Sequence, residues 1–153
     1  MADEVVEVQD TLAAFRDITR ELDNTYAMFS KSCGLSEVEY FSLLLIYEGV
    51  ATQSQISDWL YFSRTTLNSA FKQLRKKGLI RLQPYEENQR SKQTFLTEAG
   101  KEFVEKYVLQ MHRVEERAWR QMSAAERESL LRLTQKLNDL MLLELGNLKT
   151  NTD

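Results

Sequence analysis

Residues 53–100 constrain the fold of this 153-residue chain more than any other part of its sequence. They read as a short helix, a tight turn, a second helix that ends at Gly78, and two extended runs around a polar tip. The apolar residues of the second helix follow the i, i+3, i+4, i+7 spacing, which predicts one buried face. These residues are Leu67, Ala70, Phe71 and Leu74.

The opposite face of the second helix carries small hydrogen-bonding side chains first and long cations further along. Its residues are Thr65, Asn68, Ser69, Lys72 and Lys76. A helix that reads base edges near its N-terminus and contacts phosphates further on needs this distribution. Ser63 is the expected N-cap. Two short helices joined by a minimal turn, the second one basic, indicate a helix-turn-helix.

The charge distribution favours the same interpretation, although the whole chain has a formal net charge of −3. Residues 60–92 contain eight Lys or Arg against two Glu, so this segment carries +6 and the remainder carries −9. A basic patch on an acidic body attracts a polyanion at one place and repels it elsewhere. A chance fluctuation in charge stays the alternative explanation of this observation alone.

Long amphipathic helices are predicted at both ends of the chain. The N-terminal one extends over about 25 residues, or about 37 Å, and ends at Cys33-Gly34. Its apolar residues are Val5, Val8, Leu12, Phe15, Ile18, Leu22, Tyr26 and Phe29. Further long helices begin at Thr97 and at Ser123. One small domain cannot cover such stripes, so we expect an intertwined homodimer that places two reading helices side by side.

The last predicted helix begins with a capping box between Ser123 and Glu126. Its apolar residues are Leu130, Leu133, Leu137, Leu140, Met141 and Leu145. The helix before it carries Phe103, Val104, Tyr107, Val108, Met111, Val114 and Trp119 on its apolar positions. We expect one long helix that begins at Thr97 and passes through these residues to Trp119.

Two shorter helices are predicted between the N-terminal helix and the basic one. Ser36 with Glu39, and Thr52 with Gln55, have the spacing of capping boxes that begin them. We expect the third helix to bury one face, formed by Ile56, Trp59 and Leu60.

The predicted ribbon consists of a strand over residues 79–85, a polar tip over 86–92 and a returning strand over 93–96. The expected fold is therefore mainly α with a small two- or three-stranded β wing. We expect an N-terminal dimerisation helix (1–34), a winged helix-turn-helix DNA-binding lobe (35–100) and C-terminal dimerisation helices (101–150), within a single compact domain.

The chain resembles the MarR family of winged helix-turn-helix transcriptional regulators over nearly its whole length. GLSEVEYFSLLLIYE is similar to the second helix of the family, and ATQSQISDWLYFSRTTLNSAFKQLRKKGLI to its helix-turn-helix. NQRSKQTFLTEAGKEF is similar to the wing and the start of the fifth helix. The most specific part is the order and spacing of FSRTTL, LRKKGLI and LTEAG.

The resemblance implies a homodimer that binds pseudo-palindromic double-stranded DNA through a recognition helix and a wing. Members of the family act more often as repressors. The wing arginine of the family, which enters the minor groove, corresponds to Arg90. Asn88 stands where the family usually has Asp, and Tyr61 stands at a turn position that is often Gly or Asn, which requires a strained φ or a shifted turn. The predicted DNA-binding residues are Ser63, Arg64, Thr65, Thr66, Asn68, Ser69, Lys72, Arg75, Lys76, Arg90 and Lys92.

The resemblance also implies a crevice between the dimerisation helices and the DNA-binding lobe, in which family effectors bind. Aromatic side chains with polar tips suit a small aromatic or lipophilic ligand. The candidate effector-binding residues are Tyr26, Phe29, Tyr40, Tyr47, His112 and Trp119. The alternative is that they are ordinary core aromatics.

The sequence contains no pattern that indicates catalysis, a cofactor or a metal site. It has one histidine, His112, and one cysteine, Cys33, and it lacks a catalytic triad, a phosphate-binding loop and a metal-ligand spacing. Cys33 follows the first helix, whereas some relatives carry a redox-sensing cysteine near the start of that helix. A structural thiol is therefore favoured over a redox switch.

The predicted location is the cytoplasm, because no run approaches the ~20 apolar residues of a membrane span and MADEVVEV lacks the features of a signal peptide. The expected function is a sequence-specific DNA-binding transcriptional regulator that a small-molecule effector releases from its operator. The alternative is a winged-helix protein-interaction module that does not bind DNA.

Overall fold

A computed structural model describes residues 2–50, 52–85 and 88–150, with side chains described for 7–50, 52–83 and 93–148. The expected fold class, mainly α with a small antiparallel sheet, is confirmed. The elements are α1 (Ala2–Ser32), α2 (Glu37–Tyr47), α3 (Gln53–Leu60), α4 (Arg64–Lys76), β1 (Ile80–Tyr85), β2 (Asn88–Leu96), α5 (Glu98–Phe103), a π-helical turn (Val104–Val108), α6 (Leu109–Gln121) and α7 (Ala124–Thr150). The chain divides into two compact units, residues 1–111 and residues 112–153.

The helices begin where the capping residues predict. In α2, the Glu39 amide donates to Ser36 Oγ (3.3 Å), and the Ser36 amide donates to Glu39 Oε2 (2.8 Å). These bonds satisfy backbone N–H groups that have no partner inside the helix. The same arrangement begins α3 at Thr52 and α7 at Ser123. A single hydroxyl cap begins α4 at Ser63 and α5 at Thr97.

The core of the first unit lies between α2, α3, α4 and the π-helical turn. Its buried apolar residues include the predicted face of α4, which is confirmed. The largest fully buried apolar side chains are Leu43, Ile56, Leu67, Leu74, Val104 and Val108.

The prediction that Trp59 is buried is wrong. Ile56 is fully buried and Leu60 is partly buried, whereas 68% of Trp59 is exposed. The helix α3 has only eight residues, so its contact with the core is narrow. Ile56 and Leu60, four positions apart, are sufficient to form that contact. Trp59 lines an open surface crevice together with Glu48 and Asp58.

The wing is an antiparallel pair in which Ile80 lies opposite Leu96 and Pro84 opposite Lys92, with a register shift before Tyr85. The returning strand is longer than the sequence predicted, because backbone pairing continues through the polar residues back to Asn88. Polar residues are compatible with the backbone pairing of an antiparallel strand. The described sheet therefore has two strands, within the predicted two or three, and an isolated antiparallel bridge pairs Thr52 with Gln93.

A backbone contact fastens the end of the wing to its beginning. The Thr97 amide donates to the Leu79 carbonyl (3.0 Å), and Thr97 Oγ1 donates to the Gly78 carbonyl (2.6 Å). The Gly100 amide in turn donates to Thr97 Oγ1 (2.9 Å). A Cβ atom at Gly100 would lie 1.9 Å from the Leu79 oxygen, so this close approach requires glycine.

The helix expected from Thr97 to Trp119 is interrupted by one π-helical turn. The Leu109 amide donates to the Val104 carbonyl, five residues back. Such a turn inserts one residue into the helical repeat and shifts the phase of the side chains that follow. Val104 and Val108, at the two ends of this π-helical turn, are completely buried. The Tyr40 hydroxyl donates to the Val108 carbonyl (3.4 Å).

The long helices expose their apolar stripes in the single chain. In α1, Val8, Leu12, Phe15, Ile18 and Leu22 are 42–65% exposed. In α7, the six predicted apolar residues are 36–57% exposed. No helix of the described residues is both long and apolar enough to cross a membrane.

Candidate nucleic-acid interface

The helix α4 presents a wholly polar surface to solvent. All nine predicted DNA-binding residues on α4 or at its N-cap are exposed, while the apolar face packs into the core. The helix contains four cationic residues and no carboxylate. The remaining two predicted residues, Arg90 and Lys92, lie on β2, but their side chains are outside the described part of the structure.

The N-terminus of α4 is held by two hydroxyl groups that the sequence had assigned to DNA. Ser63 Oγ accepts from the Thr66 amide (3.1 Å) and lies 2.8 Å from Thr66 Oγ1. Both side chains therefore shape the helix start, and Arg64 and Thr65 occupy its first turn. The backbone dipole at this end of a helix attracts anions such as phosphate.

A side-chain hydrogen bond joins the two helices of the helix-turn-helix. Gln53 Nε2 donates to Asn68 Oδ1, which links the first turn of α3 to the exposed face of α4. No local spacing in the sequence indicates a role for Gln53, because its partner lies 15 positions away. The bond orients the Asn68 amide, a group suited to reading an adenine edge.

Lys77 differs from the neighbouring cations because its ammonium group faces the protein. Its Nζ donates to Glu39 Oε1 (2.8 Å) and to the Gly34 carbonyl (3.3 Å). Glu39 is only 5% exposed, and burial alone would raise the pKa of its carboxyl group. The hydrogen bonds from Lys77 and from Ser36, together with the Lys77 charge, outweigh burial and lower that pKa. The pair anchors the C-terminus of α4 to the N-terminus of α2.

The turn between α3 and α4 has the strained residue that the sequence indicated. Tyr61 adopts a left-handed conformation (φ 54°, ψ 19°) and is 93% exposed. For a residue with a Cβ atom this conformation costs roughly 1–2 kcal/mol. The tight turn sets the spacing of the two helices.

The structure places the six candidate effector residues at several positions. Tyr26 and Phe29 on α1 make an edge-to-face contact (ring centroids 5.8 Å apart), and Tyr40 is buried in the core. Tyr47 lines a cavity at the base of the wing. His112 and Trp119 lie on α6 in the second unit, so the effector crevice stays a prediction.

Cys33 has the environment of an unreactive thiol. Burial raises its pKa, and the hydrogen bond with Ser32 Oγ (3.9 Å) opposes this only in part. A raised pKa leaves less thiolate to react with oxidants. Among the described residues, no group of three or more His, Cys, Asp or Glu side chains is arranged to hold a metal ion.

Comparison with known proteins gives one curated relative and many similar structures. No protein-family model matches the chain. An uncharacterized HTH-type transcriptional regulator of Bacillus subtilis, YybA, is 33% identical over 95 residues, which span 61% of this chain and 63% of that protein. The chain thus spans less than two thirds of the length of this relative.

Three solved structures illustrate the fold similarity. A MarR family transcription regulator superposes with a TM-score of 0.75 at 16% identity, covering 93% of this chain and 95% of that one. MepR of S. aureus, solved as a DNA complex, gives 0.68 at 23% identity, covering 85% and 97%. The transcriptional regulator SlyA gives 0.67 at 25% identity, covering 86% and 94%.

The basic helix, the wing and their connections define a winged helix-turn-helix protein. The similarity to MarR family structures extends beyond this motif into the long helices, since it covers most of the chain. The resemblance is therefore confirmed, and the chain has the MarR-type fold.

Proposed function

We propose that this chain is a sequence-specific DNA-binding transcription regulator rather than an enzyme, and that it binds a pseudo-palindromic operator as a homodimer in the cytoplasm. The observation that carries the proposal is the exposed face of α4, which has four cationic residues and no carboxylate. A merely solvated helix of an acidic protein has no reason to exclude carboxylates. The structure of the relative MepR with DNA supports this function.

Within this proposal, the two ends of α4 have different roles. Arg64, Thr65, Asn68 and Ser69 face the base edges of the major groove, where bidentate side chains discriminate between bases. Lys72, with Arg75 and Lys76 beyond it, contacts phosphates and sets the register without reading sequence. On the wing, Arg90 enters the minor groove.

The homodimer is proposed because the stripes on α1 and α7 are exposed in the single chain. A soluble helix with one apolar face requires a partner for it. A two-fold axis places two α4 helices in successive turns of the major groove, about 34–36 Å apart. A dimer bound to an operator that overlaps a promoter represses transcription from that promoter. An effector releases the dimer from the operator if it binds more tightly to a conformation whose two α4 helices have a separation that does not match the DNA.

DNA binding is tested by fluorescence anisotropy with genomic fragments that the purified dimer retains. The affinity should fall steeply with salt, by about 0.9 in log K per unit of log salt concentration for each phosphate contact. Lys72→Ala should weaken binding to all fragments and reduce this slope by about 1. Arg64→Ala should cost about 1–3 kcal/mol and relax sequence preference at its position.

Arg132→Ala provides a matched control, because Arg132 is an exposed cation on α7 in the second unit. This variant should retain the affinity and the salt slope of the unaltered dimer. Arg90→Ala should lower affinity with little change in the preferred major-groove bases. A folded dimer without salt-sensitive retention of any fragment contradicts the proposal and favours the alternative, a protein-interaction module.

A further inference from the structure

The first turn of α3 is fixed to its surroundings on two sides. Thr52 and Gln55 form a capping box, in which the Thr52 amide donates to Gln55 Oε1 (3.0 Å) and the Gln55 amide donates to Thr52 Oγ1 (3.2 Å). Thr52 also forms an antiparallel bridge with Gln93 on β2. The backbone of Gln53, the next residue, is therefore held in place, and its half-buried side chain extends toward α4.

The backbone of α4 at Asn68 is fixed as well. Leu67 and Phe71, on the buried face of the same part of the helix, are 1% and 2% exposed, whereas Asn68 itself is exposed. Gln53 Nε2 donates to Asn68 Oδ1, which turns this oxygen toward α3 and the Nδ2 group away from it. The hydrogen bond thus sets the direction of the Asn68 amide before any ligand binds.

The direction of an asparagine amide matters because its two ends have opposite hydrogen-bonding character. The oxygen accepts, whereas the nitrogen donates. In the major groove, adenine offers the N6 donor beside the N7 acceptor, and an amide in the matching direction binds both, whereas guanine offers two acceptors, O6 and N7. An amide turned by about 180° presents its nitrogen to N6 and its oxygen to N7, so it no longer recognises adenine.

We propose that Gln53 is a positioning residue that selects the base read by Asn68, and that the pair prefers adenine. The inference rests on the DNA-binding function proposed above, but it does not require Gln53 to touch the DNA. The donor group of Gln53 holds Oδ1 of Asn68 in one direction. A side chain positioned in advance loses less freedom on binding, so the correct base is bound more tightly than by an amide that turns freely.

Gln53→Glu reverses this hydrogen bond with little change in side-chain shape. A carboxylate only accepts hydrogen bonds, so it pairs with Asn68 Nδ2 and turns the amide round. Glutamate is favourable in the first turn of a helix, so the full-length variant should fold. Competition anisotropy compares duplexes that differ at the base pair where Asn68→Ala removes the preference. We expect the preference for adenine over guanine to fall about tenfold in Gln53→Glu, and only about threefold in Gln53→Ala, whose Asn68 amide turns freely.

Ser54→Glu is the matched control, because Ser54 is the exposed neighbour of Gln53 on α3. Its added charge should weaken binding to every duplex without changing the base preference. A residue with a merely structural role would likewise leave the base preference unchanged when replaced.

The hydrogen bond itself is tested without DNA. Gln53→Ala should shift the NMR signals of the Asn68 side-chain amide, whereas Ser54→Ala should leave them in place. Asn68 signals that do not respond to Gln53→Ala, or an adenine preference that Gln53→Glu retains, overturn the proposal. If the unaltered protein retains no DNA at all, the DNA-binding function is contradicted, and this inference fails with it.

Discussion

Replacing Gly100 by alanine places a methyl group against the carbonyl that joins the wing to α5. The added Cβ would lie 1.9 Å from the Leu79 oxygen and 2.9 Å from the Leu79 carbonyl carbon. Cβ atoms essentially never approach a non-bonded heavy atom within 3.0 Å, so the two backbone segments must separate by about 1.1 Å. Both are backbone atoms, so no side-chain rotation relieves the overlap.

The size of the effect follows from the contacts that this separation disturbs. Overpacking costs about 1–3 kcal/mol. The Leu79 oxygen also accepts from the Thr97 amide at 3.0 Å, and a lost hydrogen bond adds about 0.5–1.5 kcal/mol. Alanine favours a helix by about 1 kcal/mol over glycine, which offsets part of the loss. We expect Gly100→Ala to lower the free energy of unfolding by about 1–3 kcal/mol.

Urea unfolding at a fixed protein concentration measures this change, since the stability of a dimer depends on concentration. Ala99→Gly is the matched control, because Ala99 is an exposed neighbour in the same helix. This variant measures only the difference in helix propensity between alanine and glycine, which lowers the free energy of unfolding by at most about 1 kcal/mol. If Gly100→Ala is as stable as the unaltered protein or more stable, the close contact does not exist and the reasoning is refuted.

Three further predictions concern the turn, the buried ion pair and the dimer. Tyr61→Asn should raise the free energy of unfolding by about 1 kcal/mol, because Asn tolerates the left-handed conformation, whereas Tyr61→Ala should not; equal gains from both would contradict the strain argument. The pKa of the Glu39 carboxyl is lower in the folded chain than in the unfolded chain, so its stabilisation is complete above about pH 4.3 and is lost as the pH falls through the folded pKa. Urea midpoints should show Glu39→Gln less stable at neutral pH by an amount that shrinks on acidification; a pH-independent difference would exclude this linkage. Phe15→Glu should shift the sedimentation mass from twice 17.9 kDa toward 17.9 kDa, while Arg16→Glu on the same turn should not; an unchanged mass for Phe15→Glu would remove α1 from the dimer interface.

Much of the candidate site follows from local pattern. The buried face of α4 and its cap at Ser63 depend on residues within three or four positions, and both predictions are confirmed. The side chain of Arg90 and the effector crevice stay predictions. The inward direction of Lys77 escaped sequence analysis, because in LRKKGLI nothing distinguishes it from Lys76.

The amino-acid sequence by itself determined the helices, their caps and the polar face of α4, because hydrogen bonds and side-chain contacts within a helix join residues three or four positions apart. Tertiary structure alone decided which residues meet across longer separations. It pairs Lys77 with Glu39, 38 positions away, presses Gly100 against Leu79, and leaves Trp59 outside the core. Each of these outcomes depends on how two elements pack. A periodic pattern shows that a helix has a buried face, but the neighbouring element decides how much of that face is covered.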